Sequence, residues 1–295
     1  MKKLYFIYNP HSGRGQIRTR LSEILQILSN AGYELTIYPT RGRKDAVQRI
    51  AALSDDYHLV VCSGGDGTMD EVVQGMMMRS HRVPIGYIPS GTMNDFAKSL
   101  KIPRDMVKAA GIAVNGRNFS CDMGTFNEES FVYIAAFGLF TDVSYSTKQN
   151  MKNVLGQLAY LLEGMKRITN IPSYHMHLTS KECSVEGDYI FGMVTNSRSV
   201  GGFKSIIGRN VQFDDGVFEV TFVRRPQNPA ELQDMLSSIV RREIHSQYMD
   251  SFRTARLVVE SELPVPWTLD GEFGGEWQTA EIKNHQKALE IRIDI

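Results

Sequence analysis

An α/β domain followed by a β-rich domain is the fold this chain of 295 residues predicts. Three observations predict it. Apolar strand-like runs alternate with helical patterns through the first part of the chain, the signature of a parallel sheet with helices on its faces. Each glycine-containing loop there follows such a run and opens onto a helical pattern. The loops therefore fall at the carboxyl ends of strands, where open α/β sheets bind ligands. Near Asn118 the pattern changes and strands dominate, which reads as a β-rich sandwich. The expected domains are residues 1–120 and 121–295.

In order, Leu4 to Tyr8 reads as a buried strand, and Ile17, Leu21, Ile24, Leu25 and Leu28 form one side of a helix that ends at Asn30-Ala31-Gly32. Glu34 to Tyr38 is a second strand with Thr40 at its end, and Ala46, Val47 and Ile50 belong to a second helix. Leu59 to Cys62 and Ile85 to Ile88 are the third and fourth strands. Beyond Asn118 the predicted strands are Phe131 to Phe137, Tyr174 to Thr179, Tyr189 to Thr195, Val217 to Val223, Ala255 to Glu260 and Ala288 to Ile295. Helices interrupt them at Val154 to Ile168 and Ala230 to Ile239. In the first of these, Leu155, Leu158, Leu161, Leu162 and Met165 read as a packing stripe.

Composition bounds the partners. Lys and Arg number 33 and Asp and Glu 33, a formal net charge of +0. No global basic field draws the chain to nucleic acid, and membrane contact is expected to be local and transient. Cys62, Cys121 and Cys183 lie in strand-like runs without metal-ligand spacing and read as small buried hydrophobes in a reducing compartment. Met1-Lys2-Lys3-Leu4 leads into a strand without a signal-peptide pattern, and the apolar run near Phe131 to Phe140 is too short to span a bilayer. A cytoplasmic location is expected. His175 and His177 alternate on a strand with no other ligand near them in sequence, so an exposed sheet face is expected.

Cys62-Ser63-Gly64-Gly65-Asp66-Gly67-Thr68-Met69-Asp70-Glu71 carries the first functional signal. Thr68 and Glu71 stand in capping-box relation, which predicts a helix beginning at Thr68. Glycines let backbone N–H groups approach a ligand, and a helix N-terminus favours an anion. A phosphate suits the loop, and Asp66 suits it too if a divalent cation sits between them. Alone, the loop is also an ordinary turn. Two other segments repeat the theme: Tyr8-Asn9-Pro10-His11-Ser12-Gly13-Arg14-Gly15 and Ile88-Pro89-Ser90-Gly91-Thr92-Met93-Asn94-Asp95-Phe96-Ala97-Lys98.

Taken together these segments resemble the diacylglycerol kinase catalytic family, which includes bacterial soluble lipid kinases, sphingosine kinases and ceramide kinases. The resemblance extends to Asp122-Met123-Gly124, Asp214-Asp215-Gly216 and Leu269-Asp270-Gly271-Glu272, and so covers nearly the whole chain. It implies an NAD kinase- or phosphofructokinase-like first domain and an active site in the cleft between domains. It implies ATP contacts at Asn9, Pro10, His11, Ser12, Gly13, Thr40, Gly64, Gly65, Asp66, Gly67, Thr68, Ser90, Gly91, Thr92 and Asn94. Asp66, Asp95 and Asp122 would form an acidic group around Mg²⁺, with Lys98 as a compensating cation. A second Mg²⁺ would take Gln212, Asp215 and Val217, the first and last through backbone carbonyls. Asn196 to Lys204 would line the cleft.

Asp270 and Glu272 mark the catalytic base region. A lipid hydroxyl is a poor nucleophile and needs a positioned carboxylate to accept its proton. Which of the two is the base stays open, and Asp-Gly is equally a strong hairpin signal. The implied activity is ATP- and Mg²⁺-dependent phosphorylation of diacylglycerol to phosphatidic acid at a membrane surface. Another lipid acceptor, NAD, or a non-catalytic nucleotide or lipid sensor are the alternatives. Resemblance and base rate suggest a homodimer.

Overall fold

The computed structural model describes residues 1–138, 172–196, 213–241 and 247–294. Two compact units divide it: Met1–Met123 with Gln286–Ile295, and Gly124–His285.

The first unit contains β1 (Lys2–Tyr8), a 3-10 turn (Ser12–Gly15), α1 (Ile17–Asn30), β2 (Tyr33–Pro39), α2 (Asp45–Ala51), β3 (Tyr57–Gly64), α3 (Asp66–Met77), β4 (Ile85–Pro89), α4 (Asp95–Ser99) and α5 (Met106–Asn115). The strands β4, β3, β1 and β2 lie in that order, all parallel. Leu4, Phe6 and Ile7 of β1 and Leu59 to Cys62 of β3 are fully buried, as strands covered on both faces require. The edge strand β2 is half exposed along its length. Gly32 closes α1, with φ +83 and its N–H on Ser29 O at 2.9 Å.

α3 starts two residues before the predicted Thr68. The capping box does not form because tertiary partners claim both of its side chains. The Thr68 hydroxyl accepts from Asn9 Nδ2 at 3.3 Å. The Glu71 carboxylate accepts the N–H groups of Lys44 (2.8 Å) and Ala46 (3.1 Å), capping α2 instead.

The second unit is built from β5 (Arg117–Phe126), β6 (Glu129–Phe131), β7 (Ile134–Gly138), β8 (Tyr174–Ser180), β9 (Ser184–Thr195), β10 (Phe218–Arg224), α6 (Pro229–Arg241), β11 (Met249–Thr254), β12 (Arg256–Leu269) and β13 (Glu272–Ile293). The chain passes between the units within β5 and β13. Antiparallel pairing runs β11-β10-β9-β7-β12-β13, and β8 also pairs with β9 and β12. The described strands thus form one hydrogen-bonded network rather than the two separate sheets of a sandwich. Long strands broken by register shifts, as between Glu260 and Val265, let a single sheet bend around its core. Trp267 is the hub of that core, with the rings of Phe126 and Phe137 each 4.9 Å away.

Two further expectations change. The predicted strand from Phe131 to Phe137 is two strands, because Val132 and Tyr133 turn their N–H groups out of the ladder toward Asp270. The closing residues Gln286–Ile295 belong to the first unit, where Ile291 pairs in parallel with Ile85. The helix expected at Val154 to Ile168 lies outside the described residues, as does most of the Asn196 to Lys204 segment.

Cys62, Cys121 and Cys183 are free thiols, the first two buried. Both ring nitrogens of His175 meet carboxylates, Nδ1 with Asp188 and Nε2 with Glu186, each at 2.8 Å. These two partners hold the imidazole above its ordinary pKa. Among the described residues no helix is long and apolar enough to cross a membrane.

Candidate functional site

The strand order reverses direction at β1: the chain moves from β1 to β2 on one side and then to β3 on the other. Such a switch point opens a crevice at the carboxyl ends of the strands. The expected nucleotide segments all leave from this rim. Asn9 follows β1, with its N–H on Ser63 O at 2.9 Å; Ser90 follows β4, with its N–H on Gly64 O at 2.8 Å; Thr40 follows β2, with its N–H on Tyr8 O at 2.8 Å.

The three loops touch backbone to backbone, and glycine is what allows it. A Cβ on Gly13, which has φ +53, would stand 1.9 Å from Ser90 O. A Cβ on Gly91 would stand 2.4 Å from the Gly65 Cα. The glycines therefore serve first to pack the loops together, and only then to bare N–H groups. Side chains complete the weld. Asn9 accepts from the His11 N–H at 2.9 Å while donating to Thr68. Asn94 holds Gly91 from both sides, accepting its N–H at 3.0 Å and donating to its carbonyl at 2.8 Å.

Burial sorts the expected ATP contacts. Thr68, Ser90 and Asn94 are buried and frame the loops, whereas His11, Gly67 and Thr92 are exposed. Pro10, Ser12, Thr40 and Gly64 to Asp66 line the same rim, Gly64 itself buried beneath it. Two framing residues were not foreseen. Tyr87 donates to Gly64 O at 3.3 Å, and Arg104 Nη2 reaches Thr92 O at 3.0 Å and Met93 O at 3.3 Å. Neither carries a local pattern that marks it in sequence.

Asp66 accepts the Phe96 N–H at 3.2 Å. Burial pushes its carboxyl above the ordinary value, and the backbone amides of Phe96, Asp95 and Asn94 pull it back. The expected trio of carboxylates does not assemble: no group of three metal-ligating side chains occurs among the described residues. Asp95 is drawn to Lys98 at 2.7 Å, and Asp122 is fully buried, its Oδ1 on the Lys287 N–H at 2.7 Å. A half-buried carboxylate at a phosphate-type loop still suits Mg²⁺, which takes one or two carboxylates with phosphate and water. Asp66 fits that donor set.

At the second expected ion site Gln212 lies outside the described residues. Asp215 accepts the Val217 N–H at 3.3 Å and pairs with the Arg253 guanidinium, which also reaches Glu219 at 3.3 Å. Arg253 supplies the positive charge there. Burial raises the Glu219 carboxyl to about 7.

In the second unit Asp270 and Gly271 both have positive φ, 51° and 86°, and Leu269 pairs with Glu272. This is the two-residue Asp-Gly hairpin. The Asp270 carboxylate accepts from Val132 N–H at 2.6 Å and from the N–H groups of Tyr133 and Ile134 at 3.0 Å each. Its own N–H meets Ile134 O at 2.9 Å, and Tyr133 Oη donates to its carbonyl at 2.9 Å. Both carboxylate oxygens of Asp270 are thus committed to the backbone, whereas Glu272, next but one, is exposed.

The diacylglycerol kinase catalytic domain model matches residues 3–126. A diacylglycerol kinase of Bacillus subtilis (strain 168) is 35% identical over 93% of this chain and 91% of its own length. One of Staphylococcus carnosus (strain TM300) is 32% identical over 98% of this chain and 94% of its own. The solved structure of a diacylglycerol kinase from Bacillus anthracis str. Sterne has the same fold, with a TM-score of 0.79 at 24% identity, covering 99% of this chain and 97% of that one.

Proposed function

Because this chain belongs to the diacylglycerol kinase catalytic family, we propose that it transfers the γ-phosphoryl group of ATP to the free hydroxyl of diacylglycerol, giving phosphatidic acid. The observation that carries the reading is the meeting of three glycine loops at the switch point of the first unit. Loops welded by Asn9, Thr68 and Asn94 hold their N–H groups in place before ATP arrives. Preorganised donors cost no rearrangement as charge develops on the transferring group. Pro10 to Gly13, Thr40, Gly64 to Gly67 and Ser90 to Thr92 make the rim on which the triphosphate lies. Asp66 would hold Mg²⁺, which when bound neutralises phosphate charge.

Glu272 is the general base. It accepts the proton as the hydroxyl oxygen bonds to phosphorus and ADP leaves with the bridging oxygen. Both oxygens of Asp270 are held by backbone N–H groups, so it acts by fixing the turn that carries Glu272. The protein meets its lipid by peripheral contact at a membrane surface.

The test is phosphoryl transfer from labelled ATP, with Mg²⁺, to diacylglycerol, ceramide, sphingosine and undecaprenol in mixed micelles, and separately to NAD. Labelled phosphatidic acid is the expected product. Label in another lipid would change the acceptor, label in NAD phosphate would overturn the lipid reading, and no label would favour a nucleotide or lipid sensor.

A further inference from the structure

Arg104 stands outside every motif of the sequence, just ahead of α5, yet its guanidinium reaches back to the third glycine loop. Nη2 donates to the carbonyls of Thr92 (3.0 Å) and Met93 (3.3 Å). In a trans peptide the C=O and the following N–H point in opposite directions, and the peptides here are trans. Holding the Met93 carbonyl on the Arg104 side therefore turns the Asn94 N–H to the other side, the side of Asp66. There the amides of Asn94, Asp95 and Phe96 act together on the Asp66 carboxylate, Phe96 at 3.2 Å. Asn94 is left-handed, with φ 53. Asparagine is among the few non-glycine residues that adopt this conformation, and hydrogen bonds hold the segment in it here. Its own ties, between Asn94 and Gly91, fix one end; Arg104 fixes the other.

We propose that Arg104 is a positioning residue of the nucleotide site: by clamping the Thr92 and Met93 carbonyls it sets the amides that orient Asp66 and keeps the Thr92 loop in its binding shape. The proposal rests on the reading of these loops as the ATP site. It makes Arg104 a contributor to ATP and Mg²⁺ affinity that touches neither acceptor nor base. A merely structural arginine would move stability; this one moves the nucleotide terms of the rate law.

The experiment compares wild type with Arg104→Gln and Arg104→Lys in steady-state kinetics, varying ATP, Mg²⁺ and diacylglycerol separately, alongside thermal unfolding and ATP binding by calorimetry. Loss of two hydrogen bonds to the loop is expected to raise KM for ATP and the Mg²⁺ half-saturation about tenfold in Arg104→Gln. KM for diacylglycerol stays unchanged, and Arg104→Lys, which keeps a cationic donor on a different stem, recovers part of the loss. Wild-type KM for ATP and Mg²⁺ half-saturation in Arg104→Gln would overturn the proposal. So would a loss spread equally over ATP and diacylglycerol with a matching fall in melting temperature. If wild type itself binds no ATP, the reading of the loops fails first and the proposal falls with it, a result distinguishable from the other two.

Discussion

Replacing Asp270 by Asn probes the division of labour at the hairpin. Oδ1 serves Tyr133 and Ile134, and Oδ2 serves Val132 at 2.6 Å. Asn keeps an oxygen for two of these donors and sets an NH₂ group against the third. One charge-assisted bond is lost, worth about 1.5–3 kcal/mol, and the Val132 N–H, on a residue 4% exposed, is left unpaired at about 1–3 kcal/mol more. The sum is about 4 kcal/mol, and Asp270→Ala, which abandons all three donors, costs more. The direct assay is hydrogen exchange at the Val132, Tyr133 and Ile134 amides. About 4 kcal/mol of local opening lowers protection by roughly a thousandfold. Turnover falls because the turn carrying Glu272 is no longer fixed. Glu272→Gln, in contrast, leaves these amides protected while kcat falls about 10²- to 10⁴-fold. Unchanged protection in Asp270→Ala would refute the argument that this carboxylate anchors the segment.

Other expectations follow from single contacts. Gly13→Ala places a Cβ on Ser90 O at a left-handed φ, so calorimetry should find ATP binding abolished or severely weakened in a chain that still folds. Glu71→Ala removes the cap of α2 and should lower unfolding stability by about 1–2 kcal/mol in urea titration, with Glu71→Gln intermediate. His175 has a raised folded pKa, so its contribution is complete below the unfolded value near 6.5 and is lost as pH rises through the folded value. The melting-temperature difference between wild type and His175→Gln should therefore shrink across that window. With Asp188 and Glu186 both neutralised as Asn and Gln, the pH dependence should vanish; Glu260, 3.9 Å from His177, faces the neighbouring histidine.

The parts of the fold legible in sequence are those whose cause is local. The strands β1, β3 and β4 are continuous apolar runs because both of their faces are covered, and the glycine loops follow them directly. What escaped is governed by partners far along the chain. Thr68 and Glu71 satisfy a local capping rule, but Asn9 and the start of α2 bind them instead. Val132 and Tyr133 continue an apolar run and read as strand, yet a carboxylate 137 residues beyond Tyr133 takes its N–H. The last strand alternates like its predecessors, so only its pairing with Ile85 reveals that it returns to the first unit. In the candidate site, the loops were legible, whereas the gathering of Asp66, Asp95 and Asp122 was not to be had from spacing. Lys98 and the Lys287 amide draw two of the three away. The proposal that Glu272 rather than Asp270 is the base rests on the backbone donors that hold Asp270, which no motif displays.

The central claim is that Glu272 takes the proton in phosphoryl transfer from ATP to a lipid hydroxyl. The measurement is single-turnover transfer from γ-labelled ATP to diacylglycerol in mixed micelles by wild type and Glu272→Gln, with ATP binding measured on both. Labelled phosphatidic acid from wild type, and its near-complete loss in Glu272→Gln with ATP affinity unchanged, is the predicted result. Full-rate transfer by Glu272→Gln, or no labelled lipid from wild type, would contradict it.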